Sequence, residues 1–299
     1  VKTLDYVNVT DADLDNTTYL AAEKQYLDNN TDNAIKQFNN YLSSFPNGIH
    51  ALKSHFYIAQ LYSKKALPEN AQPHYEYVVN KPKSEFTEQS LVKLSETYLN
   101  ASQWNKAIPL LKRLESEADY PQNITYAQSN LMNAYYQLSK YNEAEAYAEK
   151  VLASSKIDNK VKSDAQIIIA RSAIKTNNET KAKSAYAEVE KIATGALAAE
   201  ALFYNAYFKN KEGKYEASNT TIQKLAKDYS SYKYYSAKGL VVMAKNFYAL
   251  KDAFQATYIL ESVINNFSEF DDVVTEAQAE LKKIKTEEAK TNSSITTEN

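Results

Sequence analysis

Residues 95–111 read SETYLNASQWNKAIPLL. Ser95 and Ala107 are small and stand twelve apart, and seven residues past Ala107 comes the apolar Leu114. Working outward, the same three positions recur along the chain. Ala34, Ala71, Ala107, Ala144, Ala182, Ser218 and Ala256 follow one another at intervals of 36 to 38 residues. Seven residues after each stand Tyr41, Val78, Leu114, Val151, Val189, Leu225 and Val263, all apolar. Twelve before each stand Ala22, Ala59, Ser95, Met132, Ala170, Ala206 and Ala244, small in all but one case. A period of this length marks an array of supersecondary units, each stacked on its neighbours, and not a single globular core.

Each unit reads as two helices. In 123–140, Leu131, Ala134, Tyr135 and Leu138 share one face at helical spacing; in 141–155, Ala144, Tyr147, Ala148 and Val151 do the same. Two helices close to about 8–10 Å only where the side chains at the crossing are small, which gives the recurrent alanines their reason. The units run approximately 18–50, 51–85, 86–123, 124–161, 162–195, 196–235 and 236–271, with breaks such as Phe45-Pro46-Asn47-Gly48, Lys81-Pro82 and Tyr120-Pro121 between them. Residues 272–289 read as a capping helix and 290–299 as a disordered polar tail. Residues 1–17 lack helical period and read as an extension or the stub of a preceding repeat.

Composition narrows the function. With 35 Lys plus Arg against 37 Asp plus Glu, the net charge is -2, which gives no general attraction for nucleic acid or anionic lipid. Arg113 and Arg171 are the two arginines, too few for phosphate recognition by guanidinium forks. Cysteine is absent, which removes disulfides and thiolate metal sites. No apolar run reaches the roughly 20 residues that span a bilayer, so no membrane insertion is expected. The start at Val1, without a leader, reads as a mature portion or fragment of a longer chain.

The recurring pattern resembles the tetratricopeptide repeat. Ser95, Tyr98, Trp104, Ala107 and Leu111 hold the small, aromatic and alanine places of that family, as do Tyr135, Tyr141 and Ala144, while Pro46 holds its terminal proline place. Glu179 and Ala173 depart from it, standing where the family carries aromatics. The resemblance implies a right-handed all-α superhelical solenoid of about seven repeats. Residues 228–267, DYSSYKYYSAKGLVVMAKNFYALKDAFQATYILESVINNF, are similar to the end of long bacterial tetratricopeptide proteins of the kind likened to YbgF and BamD. That narrower likeness implies a periplasmic or outer-membrane-associated scaffold.

In such a superhelix the first helices line a concave face where family ligands bind. Carried onto this sequence, the groove positions fall on Tyr126, Asn133, Tyr136, Gln137, Arg171, Lys175, Tyr207, Asn210, Lys211, Lys245 and Tyr248. Tyrosine rings with Asn and Gln amides suit peptide recognition, and the basic residues among them suit an acidic peptide or a terminal carboxylate. The competing reading is a solvated face with packed rings. The aromatic run Tyr229, Tyr232, Tyr234 and Tyr235, with Phe267 and Phe270, is expected to wedge between repeats.

Catalysis is not expected. His50, His55 and His74 show no metal-ligand spacing, and carboxylate pairs such as Glu143/Glu145 and Asp271/Asp272 lie in solvated stretches. No phosphate loop or nucleophile elbow is present, and no cofactor is implied. The expected function is a non-catalytic scaffold that binds a partner protein or peptide on the concave face. The alternative is an architectural spacer in a larger outer-membrane-associated assembly.

Overall fold

A computed structural model describes residues 11–154 and 156–297. The described residues form fifteen α-helices and no strand. They are α1 (Asp11–Leu27), α2 (Thr31–Ser44), α3 (Ala51–Lys64), α4 (Pro68–Val79), α5 (Thr87–Asn100), α6 (Trp104–Glu117), α7 (Pro121–Gln137), α8 (Tyr141–Ala153), α9 (Asn159–Lys175), α10 (Glu179–Ile192), α11 (Gly195–Lys211), α12 (Tyr215–Asp228), α13 (Lys233–Ala249), α14 (Ala253–Asn266) and α15 (Asp271–Thr297). Two compact units divide after Lys140. In the first, α1/α2, α3/α4 and α5/α6 are helical hairpins, and α7 packs on α6. In the second, α8 packs on α9, the hairpins are α9/α10, α11/α12 and α13/α14, and α15 covers α13 and α14. This is an all-α repeat architecture built from the hairpins that the sequence period predicts.

The recurrent positions are the core. All twenty-one of them are buried, none more than 2% exposed. Where serine replaces alanine, its hydroxyl is satisfied locally: Ser218 Oγ donates to the Ala206 carbonyl at 2.8 Å, across the α11/α12 crossing, and Ser95 Oγ donates to the Val92 carbonyl. A small residue that also binds backbone keeps the crossing tight without orphaning a polar atom. Gly239 serves the α12/α13 contact in the same way, since a Cβ there would stand 3.1 Å from Ile222 Cγ2.

Each of the six hairpin turns is made by one residue with left-handed backbone, Asn29, Ala66, Ser102, Asn177, Gly213 and Lys251, and Ser139 after α7 holds the same conformation, with φ between 54° and 73°. The next residue closes the end of the first helix by donating its N–H to the carbonyl five residues back. Asn30 to Gln25, Gln103 to Tyr98 and Asp252 to Phe247 are examples, at 2.8–2.9 Å. This six-to-one bond is the Schellman closure, which satisfies a carbonyl the helix leaves open.

The ends differ from expectation. α1 begins at Asp11, inside the predicted extension 1–17, because Asp15 is drawn into the core. Its carboxylate accepts from Tyr41 Oη at 2.7 Å and from the Ile49 backbone N–H at 3.1 Å. Residues 1–10, the rest of that extension, lie outside the described residues. α15 continues past 289 to Thr297, in a stretch with no glycine or proline to stop it. The aromatic run packs as expected: Tyr229, Tyr232 and Tyr235 lie against the α11–α13 core, and Tyr234, Phe267 and Phe270 against the α13–α15 core.

Candidate functional site

The predicted groove residues fall into two groups. Tyr126, Asn133, Tyr136 and Gln137 lie on α7 of the first unit. Tyr126 is half-buried, and burial pushes its phenol up. Asn133 is exposed and turns its amide back to the Ser129 carbonyl at 3.1 Å. Tyr136 is half-buried and Gln137 exposed. The other seven belong to the second unit, on α9, α11 and α13.

Three of those seven, Tyr207, Asn210 and Lys245, line a cleft of about 220 Å³. Its wall comes from the first helix of successive hairpins: Ile174 of α9, Phe203 and Tyr204 of α11, Lys238 and Val242 of α13, and Glu276 of α15. The floor is aromatic. Tyr207 meets Phe208 at 5.4 Å and Tyr204 at 6.1 Å between ring centres, both edge-on. Lys238 holds its ammonium 5.1 Å from the centre of the Phe203 ring and 5.4 Å from that of Tyr234. Among the described residues no carboxylate is paired with it. Lys245 pairs with Glu276 at 2.6 Å. Asn210 donates to Asn246 Oδ1 at 2.7 Å, and the buried Asn246 amide donates in turn to Ser218 and Asn219.

The remaining four do not line this cleft. Lys175 is exposed at the end of α9. Lys211 pairs with Glu179 at 2.8 Å. Tyr248 donates to Glu287 at 2.9 Å, a bond that holds its phenol up at about 12.

Arg171 stands in an ion pair with a buried carboxylate. Its guanidinium grips Glu200 of α11 with two bonds, Nε to Oε1 at 2.8 Å and Nη2 to Oε2 at 2.5 Å. Glu200 is 3% exposed and also accepts from Tyr186 Oη at 2.9 Å and Tyr235 Oη at 2.6 Å. Burial works to raise this carboxyl, but the Arg171 bonds and charge, with the two phenols, hold it below the ordinary carboxylate value. The charge of Arg171 is thus neutralised within the fold, where Glu200 ties α9, α10, α11 and α13 together.

Residue-by-residue carry-over missed Phe203, Tyr204, Val242 and Lys238. Helical spacing does contain them: Phe203 is four before Tyr207, and Lys238 is seven before Lys245. Also unforeseen is the meeting of His55 and His74, nineteen residues apart, in the α3/α4 hairpin. Among the described residues no three His, Asp or Glu side chains gather as a metal site, and no helix is long and apolar enough to cross a membrane.

No family model matches the sequence, and no curated protein matches it either. Solved structures do. The C-terminal part of a tetratricopeptide-repeat protein from Cytophaga hutchinsonii is similar at a TM-score of 0.56 and 15% identity, over 86% of this chain and 98% of that one. YrrB, described as a tetratricopeptide protein with an unusual peptide-binding site, is similar at 0.51 and 14% identity, over 70% of this chain and 97% of that one. The chain therefore has the tetratricopeptide-repeat fold, the one that the resemblance in its residues implied.

Proposed function

We propose that this chain is a non-catalytic scaffold that holds a protein or peptide partner, with the cleft between α9, α11, α13 and α15 as the working surface. The carrying observation is that cleft: an aromatic floor with the Lys238 ammonium and the Asn210 amide at its edge. At about 220 Å³ it is smaller than the roughly 300–1,000 Å³ of small-molecule pockets, so it suits one side chain of a longer ligand. A lysine without a carboxylate partner in the wall of the cleft favours an acidic ligand. Stacked helices hold these groups in place before binding, which limits the ordering cost. YrrB, which shares this fold, is itself described as having a peptide-binding site. The bacterial envelope as its location rests on the likeness of residues 228–267 to envelope repeat proteins.

A second reading has its own observation. Leu14, Leu20 and Leu27 of α1 are 48–68% exposed, and Ile49 is 76% exposed. An apolar rim of this kind suits an architectural element joined through its edges.

One experiment separates the two. Cross-linking capture from envelope extract compares the parent with Lys175→Glu/Lys238→Glu/Lys245→Glu, both confirmed as folded by circular dichroism. Arg171 is left intact because its reversal strands buried Glu200. Loss of a captured protein in the variant is the expected result. Survival of the same partners moves the binding surface to the apolar edges.

A further inference from the structure

α3 and α4 carry two of the three histidines in the chain, and the fold sets them face to face. Nδ1 of His55 lies 2.9 Å from Nδ1 of His74, with ring centres 4.9 Å apart. Tyr77 of α4 stacks on His55 at 3.8 Å, nearly parallel, and Tyr62 of α3 lies 6.2 Å from His74. Both imidazoles are half-buried.

A hydrogen bond between two ring nitrogens needs one N–H and one lone pair. Two neutral rings supply them, and so does a pair carrying one extra proton. A pair carrying two extra protons turns two N–H groups and two positive charges on each other at contact distance, with no acceptor between them. The closed arrangement therefore refuses the second proton.

We infer that His55 and His74 form an acid-sensitive latch, which closes the α3/α4 hairpin at neutral pH and releases it on acidification. The groups around it reinforce this. Lys81, just past α4, adds positive charge at His55. From α5, Lys93 and Glu96 pair with each other at 3.0 Å and act on Tyr75 instead. From α2, Asp32 is tied to Lys65 at the end of α3. No carboxylate among these offsets an imidazolium at the pair. Burial, then the His74 charge and Lys81, push His55 down to about 4, and burial pushes His74 down as well.

The sign follows from linkage. Both imidazoles are depressed in the closed state, so the open state binds more protons between about pH 4 and the ordinary imidazole value of about 6.5. The latch is at full strength above that window and weakens as the pH falls through it. Release reaches the next hairpin, because α4 is bound to α5 through Tyr98, which donates to Glu76 at 2.5 Å and accepts from Gln72 at 3.3 Å.

The test is native-state hydrogen exchange on the full chain at about pH 7 and about pH 4.5, corrected for intrinsic exchange, with nitrogen NMR of the histidines. The opening constant of α3 and α4 amides is expected to rise roughly 50- to 100-fold on acidification. In His55→Leu/His74→Leu that rise is expected to disappear. A second variant, His74→Asn, removes the facing charge, and His55 is then expected to titrate at higher pH than in the parent. The latch is overturned if His55 titrates near 6.5 in the parent, if the double variant keeps the parent's pH response, or if His74→Asn leaves His55 where it was.

Discussion

Ala66, Ser102 and Lys251 hold left-handed backbone at turns where most proteins place glycine, at a cost of roughly 1 kcal/mol each. Gly213 alone of the seven turn residues avoids that cost. Ala66→Gly is therefore expected to stabilise the first unit by about 0.5–1 kcal/mol, and Gly213→Ala to destabilise the second by a similar amount, both read from urea midpoints. The same residues explain why several turns were illegible as turns: Ala, Ser and Lys carry no strong breaker signal, and there only the period located the hairpin ends. Glu200 hid for a different reason. Its partner Arg171 is 29 residues away and Tyr235 is 35, and no local pattern announces a carboxylate that four donors meet in the core. Glu200→Ala leaves a half-buried guanidinium and two phenols without their acceptor and is expected to cost about 2–3 kcal/mol in urea unfolding. Because Glu200 is depressed in the folded state, its contribution is present above the ordinary carboxylate range and is lost as the pH falls below it.

At the scale of the helix, legibility divides along burial. Positions whose side chains must be small to let two helices cross repeat at one period, so they could be read directly, and every one is buried. Positions that line the cleft answer to no packing rule, so the groove offsets carried over from the family resemblance placed Tyr207, Asn210 and Lys245 there but also nominated Arg171, which packing had claimed. The crossing argument makes its own prediction. Ala107 of α6 is fully buried, in the hairpin that α6 forms with α5, and has no room for three more carbons. Ala107→Leu is expected to cost about 1–3 kcal/mol by overpacking, whereas the exposed neighbour change Lys106→Leu stays within about 0.5 kcal/mol. Equal losses in the two variants, measured by chemical denaturation, contradict the crossing as the source of the small-residue period.

Within each of the two units, helices pack on their sequence neighbours, and α11 also meets α13, as α13 meets α15. Stability in such an array is a sum of hairpin terms and nearest-neighbour terms, so a local change fades with distance along the chain. Glu200→Gln tests this without changing side-chain size. It removes the negative charge that Arg171 grips while keeping an amide in the same space, and the loss falls on α9, α10, α11 and α13, whose side chains meet at residue 200. Native-state hydrogen exchange is expected to show amide protection falling most in those four helices and less in α15, which packs chiefly on α14 and, less extensively, on α13. Amides of α3 and α4, bound to each other through a separate polar contact, are expected to keep the parent's protection. A uniform loss throughout the fifteen helices means one cooperative unit, and then the nearest-neighbour account of this fold is wrong.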